Sequence, residues 1–437
     1  MFKLYILIFI FFLLTNCVYL IFTYSSFFLF LEFNFFYLAI QINHQYIWFI
    51  FFMLLMLFFF IFLLTKKIIS HTKYFILILL YIYITLAISI IILTDDFIYF
   101  MILFESLFFP ICFISLFFNF NNRFIFAIYY LIIFSSLSSI LCIIICLIII
   151  LHFNTLNLIN FIDICYFDSL YLNIYIWILL FVMFAIKYPI WPLHIWLPEV
   201  HVEVNTEMSA LLASIVLKIG FFGVFKFIFL IFNQTSIWFL GFIDSIILLG
   251  LTFLAVSLLF LCDYKKIIAH WSVIHTGIGL ILLWHNDLLF IGILFFCNLG
   301  HILSSSFMFI IIGHMYDNYG LRIFLLLVSF FGISMWSSIF LALFLFNIDF
   351  PFMLLFFIDL FVLYGLISLS FLYLINFCII ILTVFVSSIY IYMCLSYYSF
   401  IWLDKYLRLD LTINDIYFFF LIALITLSLF FMIYILF

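Results

Sequence analysis

Runs of about 20 apolar residues, the length that carries an α-helix across a bilayer, recur along this chain. FFMLLMLFFFIFLL at 51–64 and SIILLGLTFLAVSLLFL at 245–261 are segments of two of them. Backbone amides and carbonyls find no water in hydrocarbon, so only helices and closed barrels cross it. A barrel would write each crossing as alternating apolar and polar residues, and here the apolar character is continuous. Charged residues make up 7% of the 437, against about a quarter in a soluble protein. The expected fold class is an all-α polytopic membrane protein with little mass outside the bilayer. The net charge of −5 is spread over the connections and points to no nucleic-acid partner.

About 14 transmembrane helices are expected, near 4–22, 26–41, 46–65, 74–94, 97–118, 124–152, 170–198, 207–231, 237–262, 266–284, 288–314, 324–372, 373–397 and 416–436. The first carries a lysine and no small-residue cleavage site, so it reads as a retained helix and not a signal peptide. Nine Lys and Arg fall in connections: Lys66, Lys67, Lys73, Arg123, Lys265, Lys266, Arg322, Lys405 and Arg408. All nine lie in odd-numbered loops, whereas the even loops carry Asp95, Asp96, Asp163, Asp168 and Asp287. This is the positive-inside asymmetry. It places the odd loops toward the matrix or cytoplasm and both termini on the other side, provided 324–372 crosses once.

Two spans look interrupted. KYPIWPLHIWLPEVHVE at 187–203 holds three of the five prolines, and FNIDFP at 346–351 holds another. Proline removes a donor and clashes with the preceding turn, so such breaks survive only inside a bundle or beside a water-filled cavity. Four charges lie within apolar helices: Glu105, Lys187, Lys218 and Asp359. Each costs roughly 2.5–3.5 kcal/mol at a helix centre, which makes function, with a partner in the bundle, the default reading over a structural ion pair or snorkelling. His275 and His301 also sit within apolar helices; a lone histidine there is as often a satisfied core residue as a relay, but imidazole exchanges protons near neutral pH. His270, His285 and His314 read as structural or interfacial. Nine cysteines are scattered through apolar segments. The closest pair, Cys142 and Cys146, is one turn apart and lacks zinc or iron–sulfur spacing, so buried thiols are expected and no metal site.

The spacing repeats. Glu105 to Lys187 is 82 residues and His275 to Asp359 is 84. Each interval begins at an ionisable residue on a helix read as unbroken and ends at a charge on a broken one. Helices 4–8 and 9–13 would then be two five-helix repeats, and the odd number inverts the second, as in many ion transporters. The chain divides into N-terminal helices at 1–73, repeats at 74–232 and 233–400, and a C-terminal helix at 401–437.

At these residues the chain resembles the antiporter-like, proton-pumping membrane subunits of respiratory complex I, in particular the NADH–ubiquinone oxidoreductase chain 4 family. The match is carried by ILFESLFFP at 102–110, by KYPIWPLHIWLPEVHVE (the family's K-x-P…LHLWLP-x-x-HVE), by SIVLKIGFFG at 214–223, by DYKKIIAHWSVIH at 263–275 and by GHILSSS at 300–306. Asn347 and Pro351 before Asp359 follow in family order. It covers about residues 74–400. The sequence departs from the family at Asp359, usually Glu, at Glu199, usually basic, and at Val204-Asn205, usually Ala-Pro. An acid at 359 favours chain 4 over the sister chains 2 and 5.

The resemblance implies a proton relay of Glu105, Lys187, Lys218, His275, His301 and Asp359, with His194 in the break of helix seven. It implies that this chain binds no cofactor, while NADH, FMN, iron–sulfur clusters and ubiquinone are used by other subunits. It also implies complex I membrane-arm partners (chains 2 and 5 as neighbours), accessory subunits, lipids such as cardiolipin, and a mitochondrial inner membrane location with the odd loops in the matrix. The 72 phenylalanines, written in AT-rich codons, suit the mitochondrial genome of an AT-rich protist. A sodium/proton antiporter subunit of related fold would use much the same residues. A haem-binding membrane cytochrome would need facing histidine pairs and leaves Lys187 and Lys218 without a role.

Overall fold

The computed structural model describes residues 74–94, 96–118, 122–153, 170–284, 288–319, 354–369 and 371–397. The spans expected before residue 74 and after 400, the FNIDFP break, Asn347 and Pro351 lie outside them, as do most of the loop charges. Among the described residues every extended element is a helix. They are α1 (Tyr74–Leu93), α2 (Phe97–Ser106), α3 (Phe108–Phe118), α4 (Asn122–Phe153), α5 (Leu170–Lys187), α6 (Trp196–Glu203), α7 (Thr206–Leu211), α8 (Leu217–Gly223), α9 (Asn233–Leu258), α10 (Tyr264–Trp284), α11 (Leu288–Tyr319), α12 (Leu354–Leu369) and α13 (Phe371–Tyr397). Among the described residues, five helical segments are long and apolar enough to cross a membrane: Phe97–Leu116, Arg123–Leu151, Met208–Phe229, Thr235–Leu258 and Phe371–Tyr392. The chain is a polytopic helical membrane protein.

Burial sorts these helices. α4 turns Phe126, Tyr129, Ile133, Ile140 and Leu151 outward, as a helix against lipid does, while Met208–Phe229 is buried throughout. This central helix is not a plain α-helix. π-helical stretches at Leu212–Val216 and Val224–Phe229 flank α8, and such widened turns concentrate at functional sites. Lys218 sits in the short α-helical piece between them.

Two interruptions place the charges. The span at 97–118, read from sequence as unbroken, is divided at Leu107 into α2 and α3. Pro110 is the physical cause, because it lacks the N–H that would bond the Ser106 carbonyl and its ring crowds that turn. Glu105 is therefore next to an interruption, as Lys187 is. The second break covers 188–195, and its far arm runs through α6 to Glu203, beyond the expected end at 198. Pro189 has no N–H for the Ala185 carbonyl, so the amide of Ile190 takes it at 3.0 Å. The Ile186 carbonyl, which Ile190 would otherwise have bonded, accepts from the indole Nε1 of Trp196 at 2.9 Å. Freed backbone is thus satisfied inside the protein, as a low-dielectric interior demands.

Glycine closes the centre. A Cβ on Gly220 would lie 3.1 Å from both the Cβ and the backbone nitrogen of Tyr188 and 3.2 Å from the Lys187 carbonyl carbon. The Lys218 helix thus rests directly on the backbone of the break. Gly220→Val is expected to destabilise the protein by about 1–3 kcal/mol through overpacking, read as a lower melting temperature of the purified complex; an unchanged melt would mean that the break yields.

Candidate functional site

The best-defined contact is the ion pair between Lys187 Nζ and Glu105 Oε1 at 2.9 Å. The geometry is that of an ion pair and not of an aligned hydrogen bond. The lysine side chain is 1% exposed and the glutamate 25%. The ammonium also lies 3.9 Å from the Phe108 ring centre and 5.0 Å from that of Phe104, where the negative ring faces attract it. Ser138 Oγ of α4 donates to Glu105 Oε1 at 3.1 Å, so α2, α4 and α5 converge on one pair. This arrangement holds Lys187 turned toward Glu105.

Lys218 lies on the other side of the break. Its residue is 1% exposed, and among the described residues no carboxylate pairs with it. Its Nζ is 5.9 Å from the ring centre of Tyr188. The Tyr188 hydroxyl donates to the Thr276 carbonyl at 3.1 Å, which ties the break to α10 beside His275. The rings of His275 and His301 are 5.8 Å apart, and both residues are buried. Asp359 is buried at 6% exposure on α12, and α12 packs on α10 and α11, the helices of the two histidines.

His194 belongs to a different group. Its ring neighbours His270 at 6.3 Å, and His270 Nδ1 is 2.8 Å from the Lys266 carbonyl. Close by, Lys266 Nζ meets Glu199 Oε1 at 2.7 Å. Glu199 thus has a lysine from the next motif as partner. Lys265, read from sequence as a loop charge, is buried, and its Nζ donates to the Val204 carbonyl at 2.8 Å. It caps the C-terminal end of α6, where helix carbonyls attract a cation.

Sequence reasoning missed three residues. Tyr188 is fully buried between Lys187 and Lys218; only its place beside the first proline of the break hinted at it. His201 on α6 is buried with its ring stacked on Phe309 at 4.6 Å. Asp244 of α9 has no exposed surface, and neither of its oxygens has a hydrogen-bond partner among the described residues. The signal was legible for Asp244, because one acid stands alone in the apolar run of α9, and intramembrane acids are functional candidates by default.

The chain is similar to known proteins. Residues 94–389 match the family described as NADH:quinone oxidoreductase/Mrp antiporter, transmembrane. NADH-ubiquinone oxidoreductase chain 4 of Acanthamoeba castellanii is 33% identical over 256 residues, which is 57% of this chain and 50% of that protein. The matches span between 31% and 51% of the length of the curated relatives. In fold it is similar to a chain of respiratory complex I from Thermus thermophilus, with a TM-score of 0.70, 17% identity, and 80% of this chain and 79% of that one covered. It is equally similar to a chain of an archaeal membrane-bound sulfane sulfur reductase, with a TM-score of 0.74, 15% identity, and 88% and 78% covered. The chain belongs to the NADH:quinone oxidoreductase/Mrp antiporter transmembrane family.

Proposed function

We propose that the chain is a proton-translocating membrane-arm subunit of NADH:ubiquinone oxidoreductase. The observation that carries this reading is the succession of ionisable groups, all buried but Glu105, across adjacent helices. It runs from the Glu105–Lys187 pair through Tyr188 to Lys218 and on to His275 and His301, with Asp359 on the helix packed against them. Burial disfavours the charged form of an amine, and a neighbouring carboxylate restores it. While the pair is closed, Lys187 keeps its proton. If Glu105 withdraws, Lys187 Nζ can release it toward the Tyr188–Lys218 side. Groups so close titrate together, so a charge change arriving from a neighbouring subunit would move the proton load along the line. His194, with His270, would serve the line from the α6 arm.

In this reading NADH, FMN, iron–sulfur clusters and ubiquinone belong to other subunits. Chains 2 and 5 and cardiolipin are the expected neighbours. The membrane is the mitochondrial inner membrane, with the basic odd-numbered loops in the matrix and both termini toward the intermembrane space. The two inverted repeats with their second break at FNIDFP are part of the same proposal.

The test is the purified complex in sealed vesicles. NADH oxidation is expected to drive proton uptake that a protonophore collapses and that survives complete replacement of sodium by potassium. Co-purification with flavin and iron–sulfur subunits is expected alongside. Transport that stops without sodium would favour the antiporter reading instead.

A further inference from the structure

The face of α4 that touches Glu105 carries a second chemistry. Ser138, Cys142 and Cys146 recur every four residues, one turn apart on one stripe of the helix. Ser138 holds Glu105. The sulfurs of Cys142 and Cys146 lie 4.0 Å from each other. Cys142 is buried and Cys146 half-buried, and both are free thiols. A disulfide would need the sulfurs to close to about 2.05 Å with a specific dihedral geometry, which side chains fixed on successive turns of a continuous helix resist. A single atom bonded to both sulfurs spans the gap with far less movement.

We propose that Cys142 and Cys146 form a vicinal dithiol site for trivalent arsenicals, and that filling it locks the Glu105–Lys187 pair. The reaction is R–As=O with two R′SH, giving R–As(SR′)2 and water. Two arsenic–sulfur bonds form, two S–H bonds and the arsenic–oxygen bond break, and both thiol protons leave on the oxygen. Arsenic stays trivalent, so no oxidant or reductant is required. The product carries no charge, which suits a site inside the membrane, and it needs only the two ligands present. The bound group would stand one turn from Ser138, which touches the carboxylate that must withdraw for Lys187 to release its proton. This second half rests on the relay proposed above.

Phenylarsine oxide applied to the intact complex in vesicles tests both halves. Mass spectrometry of this chain should show one phenylarsenic bridge on the peptide holding both cysteines. The bridge should be removed by a dithiol and not by a monothiol, and should be absent in Cys142→Ser and in Cys146→Ser. Proton translocation per NADH should fall about ten-fold on labelling of the natural chain and resist labelling in either variant. A missing bridge in the natural chain, or one that persists in a single variant, overturns the site. A bridge formed with translocation unchanged overturns the lock. The untreated vesicles judge the relay itself, because their pumping does not depend on the arsenical.

Discussion

Lys218→Met in the assembled complex is expected to lower NADH-driven proton translocation roughly a hundred-fold, the scale of losing a positioned proton carrier. Coupled quinone reduction should fall with it, while assembly survives. Methionine keeps most of the stem volume in a helix buried throughout and removes the charge. No ion-pair partner is stranded, because among the described residues the ammonium has the Tyr188 ring, at 5.9 Å, and no carboxylate. Asp359→Asn should act in the same direction, since it keeps shape and removes ionisation. Proton-to-electron stoichiometry that is unchanged in both variants would remove these residues from the relay.

The Glu105–Lys187 pair separates stability from transport more sharply. Glu105→Gln leaves Lys187 buried without its counter-charge at 2.9 Å. Removing one partner of a buried pair costs about 3–5 kcal/mol, and the lower end is expected here because Glu105 is 25% exposed. The variant complex should melt at a lower temperature and pump poorly. The double variant Glu105→Gln with Lys187→Met has no stranded charge, and replacing a buried pair with neutral groups is often neutral or stabilising. It should regain the melting temperature and still fail to translocate protons. If the double variant pumps, the pair is only structural. If it melts as early as the single one, stability here comes from the aromatic and serine contacts and not from charge compensation.

How much of this was written in the chain is seen at particular residues. Apolar run length placed nearly every described helix, because 1.5 Å per residue against a fixed hydrocarbon thickness leaves little freedom. Proline chemistry announced the break after Lys187, yet the division at Leu107 beside Glu105 went unread, although Pro110 announced it by the same rule. The rarity of charge among apolar residues marked Glu105, Lys187, Lys218 and Asp359, and the same rule applied to α9 would have marked Asp244. Lys265 misled, because a lysine near a helix end reads as solvated until one sees the Val204 carbonyl that it caps.

The letters alone decided that this is a bundle of membrane helices with ionisable groups in its interior, since lipid excludes other backbones and penalises stray charge. They did not decide who meets whom. That Glu105 reaches Lys187, that Tyr188 stands between the two lysines, and that His194 turns to His270 depend on helix rotation and on backbone approach, such as Gly220 against the break. These contacts join positions far apart in sequence. A few ångströms of side-chain reach decide each one, and only the packed helices set distances on that scale.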